Sequence, residues 1–403
     1  MKVLHTADWH LGKRLYSKDR MEEQIRFLEE LCSLSDGHQV DCILVAGDLF
    51  DAINPPNEAV EVFYRYLKKL SKDGRRPVIA IAGNHDSADR ITAPNPLALE
   101  CGIFFFGSPN EVQPPLQLES GLKITSTAPD FIEINMPNWE FPLRVIATPF
   151  VNEMRLKKYL GKDEVQGLQD YLQSHWQELQ QAYMDEKGAN ILMSHLFVSK
   201  RGGEPQEEPE GEKNIMLGTA SIVYSDLFPD VDYVALGHLH TSHAVTGGPA
   251  PIHYSGSPIA YSFSESSENK VVHLLHLKPR LEKVEKIAIQ AGLPLARKTF
   301  EKVSDAIQWL EQNQESLVEL TMKTATYLTA AEIQSIRTTS PNVLNIVPMP
   351  KQVSESGGKG AEIHLSMGFE ELFVKYFNEK TGQEPNQEVM EMLNELRGEH
   401  ETK

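Results

Sequence analysis

Short runs rich in Val, Ile, Leu and Phe recur along the first 280 residues, among them Lys2–Ala7, Asp41–Ala46, Val78–Ala82, Gly102–Phe106, Leu143–Thr148, Ala189–Ser194, Tyr233–Leu236 and Lys270–Leu277. Apolar runs this short predict strands. Between several of them the spacing turns helical. Arg20–Leu34 places Ile25, Leu28, Leu31 and Cys32 on one face, and Glu58–Leu70 does the same with Val62, Phe63, Tyr66, Leu67 and Leu70. Strands alternating with amphipathic helices predict an α/β sandwich rather than a β-barrel or a helical bundle.

The pattern changes after about residue 285. Lys298–Val303, Leu317–Thr324 and Asn342–Val347 read as strands, with Asp305–Asn313 and Ala330–Arg337 as helices between them, which predicts a small separate α/β unit. Residues 199–213 have loop composition and read as an exposed insertion. Residues 350–365 are poor in apolar side chains and read as a linker. Two short helices follow. Phe369, Leu372, Phe373, Tyr376 and Phe377 recur at helical spacing in the first, and Val389, Met392, Leu393 and Leu396 in the second. The expected organisation is a first domain over 1–284, a cap over 285–349, the linker, and helices over 366–403. A polar linker ahead of apolar helix faces favours docking on a partner helix over packing on the chain's own core.

Length and composition sharpen this picture. At 403 residues the chain is long enough for two or three domains, and 40% apolar with 24% charged residues excludes wholesale disorder. No apolar run approaches a membrane span and the N-terminus lacks a secretory core, so no membrane role is expected. Cys32, Cys42 and Cys101 lie far apart, which suits a reduced, cytoplasmic protein. The formal charge of −18 argues, taken alone, against a partner as acidic as DNA.

The chemistry sits where the apolar runs stop. Asp8-Trp9-His10 follows the first run, Gly47-Asp48 the second, and Gly83-Asn84-His85-Asp86 the third; Ser194-His195 and Gly237-His238-Leu239-His240 close two later ones. In α/β sheets the carboxyl ends of strands converge on one edge, where ligands bind. Asp-x-His alone is common, but Gly-Asn-His-Asp is expected by chance only about 0.002 times in a chain of this length. Asp8, His10, Asp48, Asn84, His195, His238 and His240 together supply two carboxylates, an amide oxygen and four imidazoles. Such a set suits two divalent metals sharing a carboxylate, and its nitrogen content favours Mn²⁺, Fe²⁺ or Zn²⁺ over Mg²⁺ or Ca²⁺.

The order of these motifs resembles the calcineurin-like metallophosphoesterase superfamily. His5-Thr6-Ala7-Asp8-Trp9-His10-Leu11-Gly12, Ala46-Gly47-Asp48-Leu49-Phe50-Asp51, Ala82-Gly83-Asn84-His85-Asp86-Ser87, Tyr233–His240 and Tyr254-Ser255-Gly256-Ser257-Pro258 are similar to the SbcD family of bacterial nucleases, as is the stretch from Phe369 to Phe377. The resemblance implies a four-layer α/β-sandwich metallophosphoesterase domain, a small α/β capping domain and C-terminal partner-binding helices. It implies a Mn²⁺-dependent DNA exonuclease and endonuclease of replication and recombination, working with a coiled-coil ATPase of the SbcC type and as a homodimer. Two metals are implied, one on Asp8, His10, Asp48 and His240, the other on Asp48, Asn84, His195 and His238. His85 corresponds to the catalytic histidine, with Asp86 to orient it. Archaeal and eukaryotic relatives carry a further histidine where this chain has Asp51, so that residue's contribution is not carried over.

Other features stay open at this level. Lys13, Arg14, Lys18 and Arg20 either grip a phosphate backbone or form a solvated face, and Arg155, Lys157, Lys158 and Lys162 read as surface charge. The helix around Phe63–Leu70 is either a dimer face or core. A metallophosphoesterase acting on a small phosphate ester is the alternative function. The motif Gly-x-x-x-x-Gly-Lys-Ser/Thr does not occur, so any ATP dependence belongs to another protein.

Overall fold

Strand Cys42–Ala46 is buried at every position, and Lys2–Thr6 at all but its first, so both faces of the sheet they form must be covered. The computed structural model shows how; it describes residues 1–160, 167–203, 222–324 and 328–349, together with Phe373, Val374, Phe377, Pro385 and Met390. A six-stranded sheet runs in the order Arg280–Ala288, Val271–Lys278, Lys2–Thr6, Cys42–Ala46, Val78–Ile81, Ile103–Phe106. Its last four strands are parallel. A seven-stranded sheet runs in the order His243–Val245, Ile252–Tyr254, Tyr233–Gly237, Ala189–His195, Leu143–Thr148, Phe131–Asn135, Lys123–Ala128.

Alternation along the strands divides the core into layers. Leu4, Ile43, Val45 and Ala80 face helices Met21–Gly37 and Asn57–Ser71 through Phe27, Leu31, Phe63 and Leu67. Val3, Leu44, Ile79 and Ile81 face the second sheet through Val145, Ile191, Tyr233 and Ala235. On that sheet's far side Ile146, Leu192 and Val234 meet Leu172, Trp176 and Leu179 of helix Leu168–Tyr183. The result is helix, sheet, sheet, helix, the four-layer sandwich expected. Each fully buried aliphatic or aromatic side chain contributes about 1.5–3 kcal/mol.

Two departures have physical reasons. In helix Met21–Gly37, Ile25 and Cys32 are only half-buried, while Met21, Phe27 and the polar Gln24 and Ser35 point inward. The buried stripe therefore includes polar positions that an apolar count skips. Strand Arg280–Ala288 carries the first sheet past residue 284; five of its nine side chains are charged, as suits an exposed edge. Helix Asn57–Ser71 buries Val62, Phe63, Tyr66, Leu67 and Leu70 in the chain's own core.

The chain divides into compact units Met1–Met349 and Pro350–Lys403. Within the first, residues 295–348 form three parallel strands, Leu295–Phe300, Leu317–Met322 and Val343–Pro348, joined by helices Val303–Gln312 and Ala330–Thr339. Their core is Leu310, Val318, Leu320, Ile336 and Val343. This small unit meets the loop after His10 through Leu15 and Tyr16. Leu15 joins Phe263, Leu295 and Leu317 in an apolar cluster. The Tyr16 hydroxyl donates to Glu319 at 2.5 Å, and Glu319 also pairs with Arg297 at 2.6 Å. In the second unit the rings of Phe373 and Phe377 lie 5.8 Å apart in helical positions, at the expected i, i+4 spacing. Phe369, Leu372, Tyr376, Leu393 and Leu396, together with Lys162 and residues 204–213 of the insertion, lie outside the described residues.

Burial acts to raise the Glu319 carboxyl, but hydrogen bonds from Tyr16 and Asn345 and the Arg297 guanidinium outweigh it and hold it below the usual value of 4.5. A lowered folded value means that the contact stabilises fully above the unfolded value and fades as pH falls through the folded one. Glu319→Gln should therefore lower stability by about 1 kcal/mol at pH 7. The gap in urea midpoints between variant and parent should narrow below pH 4. A gap that does not change with pH would rule out an ionic role for Glu319.

Candidate metal centre

Five parallel strands from both sheets end at one place. Asp8 and His10 follow Lys2–Thr6, Asp48 follows Cys42–Ala46, and Asn84 and His85 follow Val78–Ile81. His195 ends Ala189–His195, and His238 and His240 follow Tyr233–Gly237. The turns are tight enough to force Asp8, His10, Asp48 and His238 to φ values of 54°, 43°, 48° and 109°. Left-handed backbone at a non-glycine residue costs on the order of 1 kcal/mol and persists where neighbours hold it in place. Here the loops lock one another. Asp8 N–H donates to Gly47 O at 3.0 Å and His10 N–H to Asp48 O at 2.9 Å. Asp8 Oδ1 accepts from His238 N–H, and Asp48 Oδ1 from His85 N–H, each at 2.9 Å.

The glycines in these motifs are steric requirements. A Cβ on Gly83 would lie 2.0 Å from Asp48 Oδ1, and one on Gly237 would lie 1.9 Å from the Ala46 carbonyl oxygen. Loops carrying ligands from different strands approach closely only because these two residues have no side chain.

All seven expected ligand residues converge, Asn84 half-buried and the other six buried. His10 Nε2 and His240 Nε2 are 3.1 Å apart, and Asp48 Oδ2 lies 3.6 Å from His10 Nε2 and 3.4 Å from His195 Nε2. His195 Nε2 is 3.0 Å from Asn84 Oδ1. Ligand atoms of Asp8, His10 and His240 lie within 4.8 Å of one another, as do those of Asp8, Asp48 and His195. The His238 ring stands 5.5 Å from that of His195. Asp8 Oδ2 is buried without a hydrogen-bond partner. Two imidazole nitrogens meeting at 3.1 Å, an orphaned carboxylate oxygen and a second carboxylate between the two groups fit divalent cations.

The electrostatics point the same way. Burial raises Asp8 to about 7, against the pull of His195 and His240 and with added repulsion from Asp48. Burial would raise Asp48 too, yet the charge and hydrogen bond of His195, with His10 and His85, hold it well below the usual carboxylate range. Burial works to lower His195, but Asp48 and Asp8 lift it to about 9. These carboxylates attract positive charge, and their histidines can supply it only by taking up protons.

A second layer sets the ring orientations. His195 Nδ1–H donates to Ala46 O at 2.9 Å, which leaves Nε2 to act as a ligand. His240 Nδ1 lies 3.4 Å from Glu265 Oε1, and Gln24 Nε2 donates to His10 O at 2.9 Å. Tyr261 hydrogen-bonds the Trp9 carbonyl. None of Gln24, Tyr261 and Glu265 is expected from sequence, since each lies outside the ligand motifs. Asp51 is legible only as a departure from relatives.

His85 stands edge-on to His10 with ring centroids 4.9 Å apart, and its Nδ1 meets the Asp51 carbonyl oxygen at 2.7 Å. That carbonyl, rather than Asp86, orients the ring. Asp86 instead holds the loops: its carboxylate accepts from the backbone N–H groups of Leu49, Phe50 and Gly83 at 3.0, 3.0 and 2.8 Å. Burial, with repulsion from Asp48, raises it to about 6 against those three donors.

The basic cluster after His10 does not form one patch. Arg20 is buried in a bidentate pair with Glu23 and donates to Ala260 O, so it braces the fold and is removed from any substrate surface. Lys13 pairs with Asp51 at 3.0 Å beside the metal centre, Arg14 is exposed, and Lys18 is half-buried. Arg155, read as surface charge, lies over the Phe150 ring with its guanidinium toward the Gly83 and Asp86 carbonyls. Cys32, Cys42 and Cys101 are free thiols. No helix among the described residues is long and apolar enough to cross a membrane.

Comparison with known proteins agrees with this geometry. Residues 1–242 match the family model of the calcineurin-like phosphoesterases. The chain is 33% identical to the SbcD component of the SbcCD nuclease of Bacillus subtilis, over 98% of this chain and 97% of that one. It is 28% identical to the component of the same name from Escherichia coli K12, over the full length of both.

The close approach of the loops yields a direct test. Gly83→Ala and Gly237→Ala should each lower Mn²⁺ affinity by about tenfold or more in calorimetric titration, because the added methyl pushes Asp48 or the Ala46 strand end away from its partners. Unchanged affinity in both would show that the loops tolerate a wider spacing than described.

Proposed function

We propose, on the premise that the chain belongs to the calcineurin-like phosphoesterase family and within it to the SbcD-type nuclease proteins, that it is a metal-dependent hydrolase that cleaves DNA phosphodiesters with two metals, Mn²⁺ by preference. The observation that carries this reading is the convergence of two carboxylates and four imidazoles from five strand ends, in a chain similar over nearly its full length to proteins named as components of a nuclease. Resemblance extends the reading to exonuclease action on duplex ends and endonuclease action on single strands and hairpins, in the cytoplasm, in a complex with an SbcC-type ATPase. The division into a catalytic domain, a cap, a linker and partner-binding helices, and assembly as a homodimer, belong to the same proposal.

Asp8, His10, Asp48 and His240 would hold one metal, and Asp48, Asn84, His195 and His238 the other. Bound divalent cations supply charge stabilisation at the phosphoryl oxygens and a water acidic enough to attack at neutral pH. The chain's own residues do the rest. Asp48, between the two groups, fixes their separation. The carbonyl of Asp51 receives His85 Nδ1–H, so Nε2 is the atom that meets the substrate. In the protonated ring, Nε2–H is the donor to the departing oxygen. Asn84, half-buried, stands at the mouth of the site, which is where a phosphodiester backbone would enter. Lys13, held by Asp51, is the basic residue of its cluster best placed to meet a phosphate there.

The test uses purified chain and an end-labelled DNA hairpin, with Mn²⁺, Mg²⁺ or chelator, alone and with the ATPase. Cleavage that needs Mn²⁺ and is abolished by chelator is the expected result. Hydrolysis of a small phosphodiester with no cleavage of any DNA would sink the nuclease reading. His85→Gln should cut the rate by about a hundredfold or more while metal content is unchanged. A rate near the parent's would remove His85 from the chemistry.

A further inference from the structure

Glu265 and Lys270 form a buried ion pair directly behind one ligand of the metal centre, outside the ligand motifs. Glu265 Oε1 faces His240 Nδ1 at 3.4 Å and accepts from the backbone N–H groups of Tyr261 and Ser262 at 3.2 and 3.0 Å. Its other oxygen, Oε2, meets Lys270 Nζ at 2.5 Å and Ser257 Oγ at 3.2 Å. Lys270 also donates to the His240 carbonyl at 3.0 Å. Both side chains are nearly excluded from solvent, Glu265 at 4% and Lys270 at 9% exposure. Burying this pair costs several kcal/mol of desolvation, so the fold alone would be served as well by an apolar contact. What an apolar residue lacks is an ionised acceptor for His240 Nδ1–H.

The two halves of the centre differ in this respect. His195, on the Asn84 side, leans on a neutral acceptor, the Ala46 carbonyl. His240, on the Asp8 and His10 side, leans on a carboxylate. An anionic acceptor fixes the ring tautomer with Nε2 toward the metal and makes that nitrogen more basic than a carbonyl does. Under the ligand assignment proposed above, Asp8 adds a carboxylate to the site of His10 and His240, although its ligand atom also lies within 4.8 Å of those of Asp48 and His195, while Asn84 adds a neutral amide to the other site.

We infer that Glu265 is a positioning residue that makes the site of Asp8, His10 and His240 the tighter of two metal sites, so that the centre fills in sequence and the Asn84 side fills last. Lys270 anchors the far oxygen, while the Tyr261 and Ser262 N–H groups solvate the oxygen that faces His240, so the carboxylate stays available to that ring without Lys270. The inference rests on the two-metal reading above and deepens it.

Calorimetric titration of the full chain with Mn²⁺ tests it. The parent should take up two ions in separate steps. Glu265→Gln, which keeps an acceptor for the Tyr261 and Ser262 N–H groups, should weaken the tight step by about ten- to a hundredfold and leave the weak step within about threefold. Glu265→Asp, which keeps the pair with Lys270 but withdraws the carboxylate from His240, should weaken the tight step as well. Lys270→Gln, which breaks the ion pair but leaves the carboxylate, should hold the tight step within about threefold of the parent. Equal weakening in Lys270→Gln and Glu265→Gln would reduce the pair to packing and overturn the inference. So would Glu265→Gln and Glu265→Asp titrations that match the parent, and in that case hairpin cleavage by the parent would leave the nuclease reading standing. A parent chain that takes up no metal would overturn both.

Discussion

Two carboxylates, Asp8 and Asp48, are buried side by side among imidazoles, and most of what is unusual in this fold follows from that placement. A buried carboxylate without a cation nearby costs several kcal/mol. Asp8 responds by rising toward neutrality, and His195 by holding its proton. Neither response satisfies Asp8 Oδ2, which has no hydrogen-bond partner. The protein alone leaves the charge unbalanced, and divalent cations would balance it. Function is stored here as an electrostatic imbalance.

Holding that arrangement demands rigid backbone. Four ligand residues adopt left-handed backbone, and two glycines let strand ends come within van der Waals distance. These strains are tolerable because the strands beneath are buried on both faces and the loops bond one another directly, Asp8 to Gly47 and His10 to Asp48. Asp86 extends the same logic. Its three backbone hydrogen bonds tie the Gly83 turn to the Leu49–Phe50 turn, so the loop bearing Asn84 and His85 cannot shift without moving Asp48's loop.

The ligands are legible in the sequence because apolar runs mark where strands end, and chemistry at strand ends must use few residue types. What stays hidden has no such signature. Glu265 lies in a Ser- and Glu-rich stretch that carries no ligand motif, yet it turns inward to meet His240 and Lys270. Arg20 reads as part of a basic patch, but Glu23 three residues on draws it into the core. Asp86 follows His85 in sequence and reads as its partner; the turn points its carboxylate back to the Leu49 and Phe50 amides instead. Strand Arg280–Ala288 escapes an apolar count because an edge strand's outer face is charged. Each of these outcomes turns on a specific side-chain contact or an edge position, which apolar periodicity does not report.

The net charge of −18 changes meaning once the site is built. The 11 acidic and 5 basic side chains of residues 353–403 follow every residue of the candidate centre in sequence and supply none of its ligands. At the centre itself, the two divalent cations proposed above would add about +4 against the charges of Asp8 and Asp48, which would make the local field attractive to phosphate while the net surface charge repels it. A site with a strong local pull on a surface that repels polyanions cleaves a phosphodiester delivered to it but captures DNA poorly by itself. On the proposed nuclease reading, delivery would fall to a second protein. On that reading, the same electrostatics that equip the centre for phosphate give a DNA-gripping partner a physical role in the proposed activity.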